Sequence, residues 1–380
     1  MHLAFLALQD PTDPAAFSGI PFRVARHLRA ALEERGGRLS TVGPLHEGAP
    51  LSGKVTKLKH RLAGRGYLGH HTWLSTRAMS QRANEAIQRL QPDAVLCLSS
   101  LPFVDLDPSV PAAFWVDGTF EMNLEYYSDY SGLADDNVRQ GLETDRAGIA
   151  RADLALYASE AAAASAIGYF GADPERVHVV PWAANLDAPP SREDAERALA
   201  GRRSDRAQLL FLGKDWFRKG GDRAVRVAEE MTALGLPTTL HVAGAHPPLA
   251  PEARGVAVEG FLSKDDPAQR QRLLALLHDS HFLCMPVRAE DFGCVFAEAG
   301  AYALPSISTR TGGVPSAVGD GGLLFAPEAT PQEIAASAVA LLRDRERYFA
   351  LARAARDRYE QETNWDTVVR RVLDLLEPLV

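Results

Sequence analysis

Two glutamates with seven residues between them, in Glu290-Asp-Phe-Gly-Cys-Val-Phe-Ala-Glu298, form the segment of this chain best suited to chemistry. The apolar run Phe282-Leu-Cys-Met-Pro-Val287 ahead of them reads as a buried strand. Gly293 then reads as a turn into a helix. The first amides of a helix lack internal acceptors, and the dipole there favours negative charge, so a strand, a glycine turn and a helix start make an anion site. With a helix starting near Cys294, Glu298 lies four residues on, on the face of the exposed amides. Glu290 falls at the strand's C-terminal end, where open α/β sheets bind ligands. Phosphate on the amides with hydroxyls on the carboxylates describes a nucleotide-sugar. The plainer reading makes Glu298 a partner of the helix dipole and Glu290 a solvated loop residue.

Other segments bear on the choice. Leu210-Phe-Leu-Gly-Lys-Asp-Trp-Phe-Arg-Lys-Gly-Gly221 takes a strand to Gly213 and opens a helix with Arg218-Lys219-Gly220. Cations belong at helix C-termini, so this pair makes sense with an anion between it and the amides. Thr311-Gly-Gly-Val-Pro315 follows another strand; Gly312 and Gly313 permit close backbone approach, and Pro315 suits a first helical turn. Gly19, in Ser18-Gly-Ile-Pro21, opens the first helix. Asp117 ends a strand at Asp-Gly, as a base, an acceptor-orienting group or a turn former. No G-x-G-x-x-G follows a strand, which counts against a standard dinucleotide-binding dehydrogenase. Asp105-Leu-Asp107 has metal-site spacing but no strand leading into it, so no metal is expected.

The elements that must position these residues alternate along the chain. Candidate strands are His2–Leu8, Arg38–Pro44, Ala94–Ser99, Ala112–Asp117, Leu154–Ala158, Val177–Trp182, Gln208–Gly213, Thr239–Ala243, Val256–Phe261, His281–Val287, Pro305–Thr309 and Gly322–Ala326. Helical patterns separate most of them, including Ile20–Arg35, Asp136–Arg151, Gly220–Leu234, Pro267–His278 and Phe296–Ala303. Such alternation implies α/β architecture with parallel sheets, and twelve strands suit two doubly wound domains better than one sheet. Asn185–Asp205, with Pro189-Pro190 and many charges, reads as a linker with a solvated helix. The domains are therefore 1–185 and 186–362, followed by 363–380 as a final helix with Thr363 as its N-cap.

The 380 residues are 46% hydrophobic and 24% charged, ordinary for a globular protein. A net charge of −8 gives no support for a nucleic-acid binder. Met1–Leu8 lacks a basic flank and runs into Gln9-Asp10-Pro11, so it reads as a strand rather than a signal peptide. Cys97, Cys284 and Cys294 form no C-x-x-C, and a reduced, cytoplasmic setting is the simple inference. Lys54–His71 is rich in Lys, Arg and His: a surface for an anionic acceptor or for lipid headgroups at the inner face of a membrane, or a solvated helix face.

Taken together, these segments resemble glycosyltransferase family 4, the retaining transferases of GT-B fold, most strongly over 177–318. Glu290 to Glu298 looks like the family's E-x7-E motif, Gly213-Lys214 with Lys219-Gly220 its phosphate segment, Thr311–Pro315 its Gly-Gly turn, Val179–Asp187 its interdomain segment and Ser18-Gly19 its N-terminal glycine loop. The resemblance implies two Rossmann-like domains facing across a cleft, with the last helix returning to the N-terminal one. It assigns Glu290 to the donor sugar, Glu298 to the ribose, Lys219 and Arg218 with the amides of Gly293, Cys294 and Val295 to the diphosphate, Gly19 to the diphosphate from the other domain, and Gly260, Phe261 and Leu262 to the base. Lys214 stands where the family has arginine and lacks its planar fork; Asp117 stands where the family often has histidine. The expected activity is metal-independent transfer, with retention and no cofactor, from a UDP- or GDP-sugar to an acceptor hydroxyl on a glycan, a lipid-linked molecule or a small molecule. Rival readings are a sugar-nucleotide epimerase, a phosphorylase or an inactive nucleotide-sugar binding subunit.

Overall fold

The computed structural model describes residues 1–46, 59–60, 62–248 and 255–380. The chain divides into two compact units, one of Met1–Trp182 together with Trp365–Val380, the other of Ala183–Asn364.

In the first unit, β1 (His2–Leu6), β2 (Arg38–Val42), β3 (Ala94–Cys97), β4 (Ala112–Val116), β5 (Leu154–Tyr157) and β6 (Val177–Val179) form one sheet in the order β2-β1-β3-β4-β5-β6. Every pairing is parallel. Strands β1, β3 and β5 are buried along their whole length, as expected of a parallel sheet covered on both faces. Phe103, Phe114 and Tyr157 meet edge to face in the core. The last helix, Trp365–Leu376, buries Trp365, Val368, Val369, Val372, Leu373 and Leu376, a helical stripe. Arg35, just past helix Ile20–Glu34, reaches Asp374 and Glu377, and Trp365 lies edge-on to Trp115, itself stacked on Trp182.

The second unit has the same plan. β7 (Ala207–Leu212), β8 (Thr238–Ala243), β9 (Val256–Gly260), β10 (Phe282–Met285), β11 (Ser306–Thr309) and β12 (Gly322–Phe325) are ordered β12-β11-β10-β7-β8-β9, again all parallel. The chain runs from β7 out to β9, returns to β10 beside β7, and continues to the other edge. The direction of winding reverses between β7 and β10, the place where open α/β sheets bind ligands.

All twelve expected strands are present, most of them a residue or two shorter at the C-terminal end. Helix Cys294–Ala301 starts two residues before the apolar pattern suggested and ends two earlier. Thr363 does not cap the last helix. It ends the preceding helix, Arg345–Glu362, and its carbonyl accepts from the Ala184 amide at 2.9 Å. Asn185–Asp205 contains helix Arg192–Gly201, capped by Ser191, whose Ala195, Ala198 and Leu199 are buried.

Of the basic stretch, Lys54, Lys57 and Arg61 lie outside the described residues. Within them, Arg65 pairs with Asp135, His60 lies 3.6 Å from Asp136, and His71 is buried against Phe120 and Tyr130. Burial, and secondarily the neighbouring His70, hold the His71 imidazole well below its usual range. Among the described residues no helix is long and apolar enough to cross a membrane.

Candidate active site

The site begins with the loop after β7. Gly213 extends the ladder by donating to the Ala243 carbonyl at 3.0 Å. Trp216 is buried against Phe211 and Gly221, which pins the loop to the sheet. Asp215 accepts from the Arg218 amide at 3.0 Å and from its Nε at 3.2 Å. Gly220, left-handed at φ +75°, turns the chain into helix Gly221–Ala233. A side chain there would collide with the Pro286 carbonyl at 2.1 Å, so the two loops meet backbone to backbone.

The loop after β10 lies alongside. Its Arg288 amide donates to the Arg218 carbonyl at 2.7 Å, and its guanidinium grips the Asp222 carboxylate. Arg218 in turn donates to the Ala289 carbonyl at 2.7 Å. These bonds bring Lys219 Nζ within 2.7 Å of Glu290 Oε2 and Arg218 within 3.3 Å of the same oxygen. The Lys219 and Glu290 side chains are only 13% and 12% exposed, so their attraction is weakly screened. The Gly313 amide, from the loop after β11, donates to the Glu290 carbonyl at 3.1 Å. Three loops from adjacent strands thus converge on Glu290 at the winding reversal.

Gly293, left-handed at φ +84°, starts helix Cys294–Ala301 with no side-chain cap. Its first-turn amides, at Cys294 and Val295, have no intrahelical acceptor, the arrangement that favours an anion at a helix start. The other end of this helix is saturated. Arg202 donates to the Tyr302 and Ala303 carbonyls at 3.0 and 2.6 Å, and Arg356 to the Ala301 carbonyl. Both guanidiniums are buried. Cations at a helix C-terminus complement its dipole and hold the helix in place.

Glu298 is on this helix, its side chain 4% exposed and its Oε1 2.8 Å from Lys264 Nζ. Lys264 also donates to the Asn185 carbonyl at 2.7 Å. Burial, followed by the charge of Glu298, pushes the nearby Tyr302 phenol up to about 12. At the end of β9, Gly260 is left-handed at φ +70° and its carbonyl accepts from Gly244. Phe261 projects into solvent, and Lys214 Nζ lies over its ring at 5.1 Å.

The structure therefore brings Lys219, Arg218 and Glu290 together, with Gly213 packed under the Lys219 stem. It places Glu298 on the adjoining helix and Gly313 against the Glu290 backbone. Lys214 is on Phe261 rather than with the other cations. Gly19 and Asp117 are in the first unit: Gly19 opens helix Ile20–Glu34 at φ +79°, and Asp117 follows β4. Lys264, Asp215, Arg202 and Arg356 were not singled out by sequence. Their partners are remote carbonyls or a carboxylate 34 residues away, apart from Asp215, whose turn with Arg218 was legible as Asp at a loop start. Asp105 pairs with Arg77 and Asp107 accepts from the Ser109 amide. Cys97 and Cys284 are buried, and burial pushes each thiol up to about 12. A cavity of about 620 Å³ lined by Asp205–Gln208 and Thr238 opens at the other, N-terminal end of β7 and β8 and shares no residue with the motifs.

Comparison with known proteins decides the family. Residues 22–188 match the model for Glycosyltransferase Family 4, and residues 206–344 that for Glycosyl transferases group 1. The chain belongs to glycosyltransferase family 4. A D-inositol 3-phosphate glycosyltransferase of Kineococcus radiotolerans is 31% identical over 250 residues, 59% of this chain and 57% of that protein. The chain thus spans a little over half the length of the curated relatives it matches. Among solved structures, sucrose-phosphate synthase from Thermosynechococcus elongatus superposes with a TM-score of 0.68 at 16% identity, over 100% of this chain and 99% of that one. Anabaena Alr3699/HepE in complex with UDP gives 0.64 at 15% identity, over 100% of both. These likenesses identify the two six-stranded parallel sheets of this family 4 member as the GT-B fold.

Proposed function

We propose that this chain transfers a sugar from a nucleoside-diphosphate sugar to an acceptor hydroxyl, with retention of configuration and without a metal. The observation that carries the reading is the convergence of Lys219 and Arg218 on Glu290, beside the N-terminus of helix Cys294–Ala301, at the winding reversal of the second sheet. That crevice offers two cations and oriented amides to a diphosphate, and carboxylates to sugar and ribose hydroxyls. The crystallised Alr3699/HepE complexes with UDP and UDP-glucose support a uridine nucleotide as the first donor to test.

In this proposal the bond between the anomeric carbon and the phosphate oxygen breaks with oxocarbenium character. The acceptor oxygen bonds to the same carbon from the leaving-group face, and its proton passes to the departing phosphate. Lys219, Arg218 and the amides of Gly293, Cys294 and Val295 take up the charge developing on the diphosphate, the kind of fixed donor whose loss costs about 3–4 kcal/mol of barrier. Glu290, once a diphosphate draws off the cations it now holds, is freed for the sugar hydroxyls; Glu298 takes the ribose. Gly260, Phe261 and Leu262 border the base, and Gly312 with Gly313 backs Glu290.

The test is donor turnover with UDP- and GDP-sugars and mixed acceptors, with and without a chelator, reading product configuration by NMR. Retained configuration that persists in chelator is expected. Inverted product or chelator-abolished turnover would overturn the mechanism. Interconversion of the donor sugar would favour an epimerase, phosphate-dependent release of sugar a phosphorylase, and nucleotide binding without turnover a binding subunit.

A further inference from the structure

Glu298 is a buried carboxylate whose partner among the described residues is Lys264. Only Oε1 is engaged; Oε2 accepts from no described residue. Lys264 is itself anchored, with one ammonium proton on Glu298 and another on the Asn185 carbonyl. The remaining cations of the site, Lys219 and Arg218, are on a different carboxylate, Glu290.

We propose that Lys264 is a positioning residue for the nucleoside: its ammonium holds and aims the Glu298 carboxylate, so that the preference for ribose over deoxyribose runs through it. The inference rests on the reading of Glu298 as the ribose ligand. A buried carboxylate is held in place by the partners it pairs with, and a carboxylate acceptor binds a hydroxyl about twice as strongly as a neutral one. Lys264 supplies the cation while occupying one oxygen, which leaves Oε2 and a lone pair of Oε1 for two vicinal hydroxyls. The tether to Asn185 fixes the ammonium, and through it the carboxylate rotamer. Lys264 lines a cavity of about 270 Å³ with Asn185, Arg270 and Leu273, which leaves room for the longer arginine at this position.

The experiment is calorimetric titration of UDP and 2′-deoxy-UDP, with GDP and 2′-deoxy-GDP in parallel, into the full chain. Wild type is expected to favour the ribonucleotide by about tenfold, the scale of one charge-assisted hydrogen bond. Lys264→Met should weaken the ribonucleotide to the level of the deoxynucleotide and leave the latter within about twofold; Lys264→Arg should restore most of the preference. Equal weakening of both nucleotides, or an unchanged ratio, overturns the proposal. Lys264→Gln keeps a donor without the charge and decides the matter should the methionine variant not fold: an intermediate ratio supports the proposal, a wild-type ratio refutes it. Glu298→Ala separates the two levels. A wild-type ratio there removes the ribose assignment itself, whereas a ratio lost in Glu298→Ala and kept in Lys264→Met removes only the role of Lys264.

Discussion

Gly213→Ala tests the site without removing any functional group. A Cβ at 213 would stand 2.4 Å from Lys219 Cδ and 3.3 Å from Cε, where ordinary contact begins at 3.4 Å. The backbone at 213 lies outside the left-handed region, so alanine brings no strain of its own. The lysine stem must therefore give way by about 1 Å, and its ammonium leaves the position 2.7 Å from Glu290. A misplacement of about 1 Å in a positioned group costs on the order of a hundredfold in rate, or about 2.7 kcal/mol. Complete loss of the charge in Lys219→Met should cost somewhat more, about 3–4 kcal/mol. The assay is turnover of the best nucleotide-sugar donor, with the thermal midpoint as a folding control. Gly213→Ala is expected to fall near a hundredfold below wild type with little change in midpoint. The double variant Gly213→Ala/Lys219→Met should be no slower than Lys219→Met alone, because both act through one side chain. Additive losses in the double variant, or wild-type turnover in Gly213→Ala, would refute this.

Three further outcomes follow from the geometry. Glu290→Gln should lose most turnover while binding nucleoside diphosphate nearly as well as wild type, since the cations it holds remain; calorimetry beside turnover checks this. Arg356→Met strips donors from the buried Ala301 and half-buried Pro190 carbonyls and should cost about 3 kcal/mol, a drop of roughly 6–12 °C in the melting transition of the second unit. Glu259 has its carboxyl held below the ordinary range, first by hydrogen bonds from Arg272 and then by His241. With the folded-state value depressed, its stabilisation is present above the unfolded carboxylate value and lost as pH falls through the folded one. Glu259→Gln should therefore melt below wild type at pH 7, and the gap should close in acid titration below the usual carboxylate value of 4.5.

The fold was legible because its strands are buried on both faces: runs such as Leu3–Leu6 and Phe282–Met285 are apolar without interruption. Strand ends were read long because apolar residues continue into the loops, as Val180–Trp182 and Val287 do. The Gly293 turn set the helix start at Cys294, where it is, while the apolar pattern alone set it at Phe296, because no Ser, Thr, Asp or Asn side chain marks the cap. Within the site, Glu290, Lys219 and Arg218 could be named because each sits at a strand end or a helix start, positions that pattern reveals. Lys264 could not, because its pairing with Glu298 joins a loop to a helix through side-chain reach alone. Lys214 was singled out by its place after Gly213, and its contact with Phe261 had no mark in the pattern.

The central claim is that the crevice of Lys219, Glu290 and helix Cys294–Ala301 takes a nucleoside diphosphate. A crystal structure with UDP or GDP bound tests it most directly. The account predicts diphosphate oxygens at hydrogen-bond distance, about 2.7–3.2 Å, from Lys219 Nζ and the Cys294 amide, with the ribose hydroxyls on Glu298. A nucleotide bound elsewhere, as in the cavity of Asp205–Gln208 at the opposite end of the sheet, or one touching neither Lys219 nor Glu298, would contradict it.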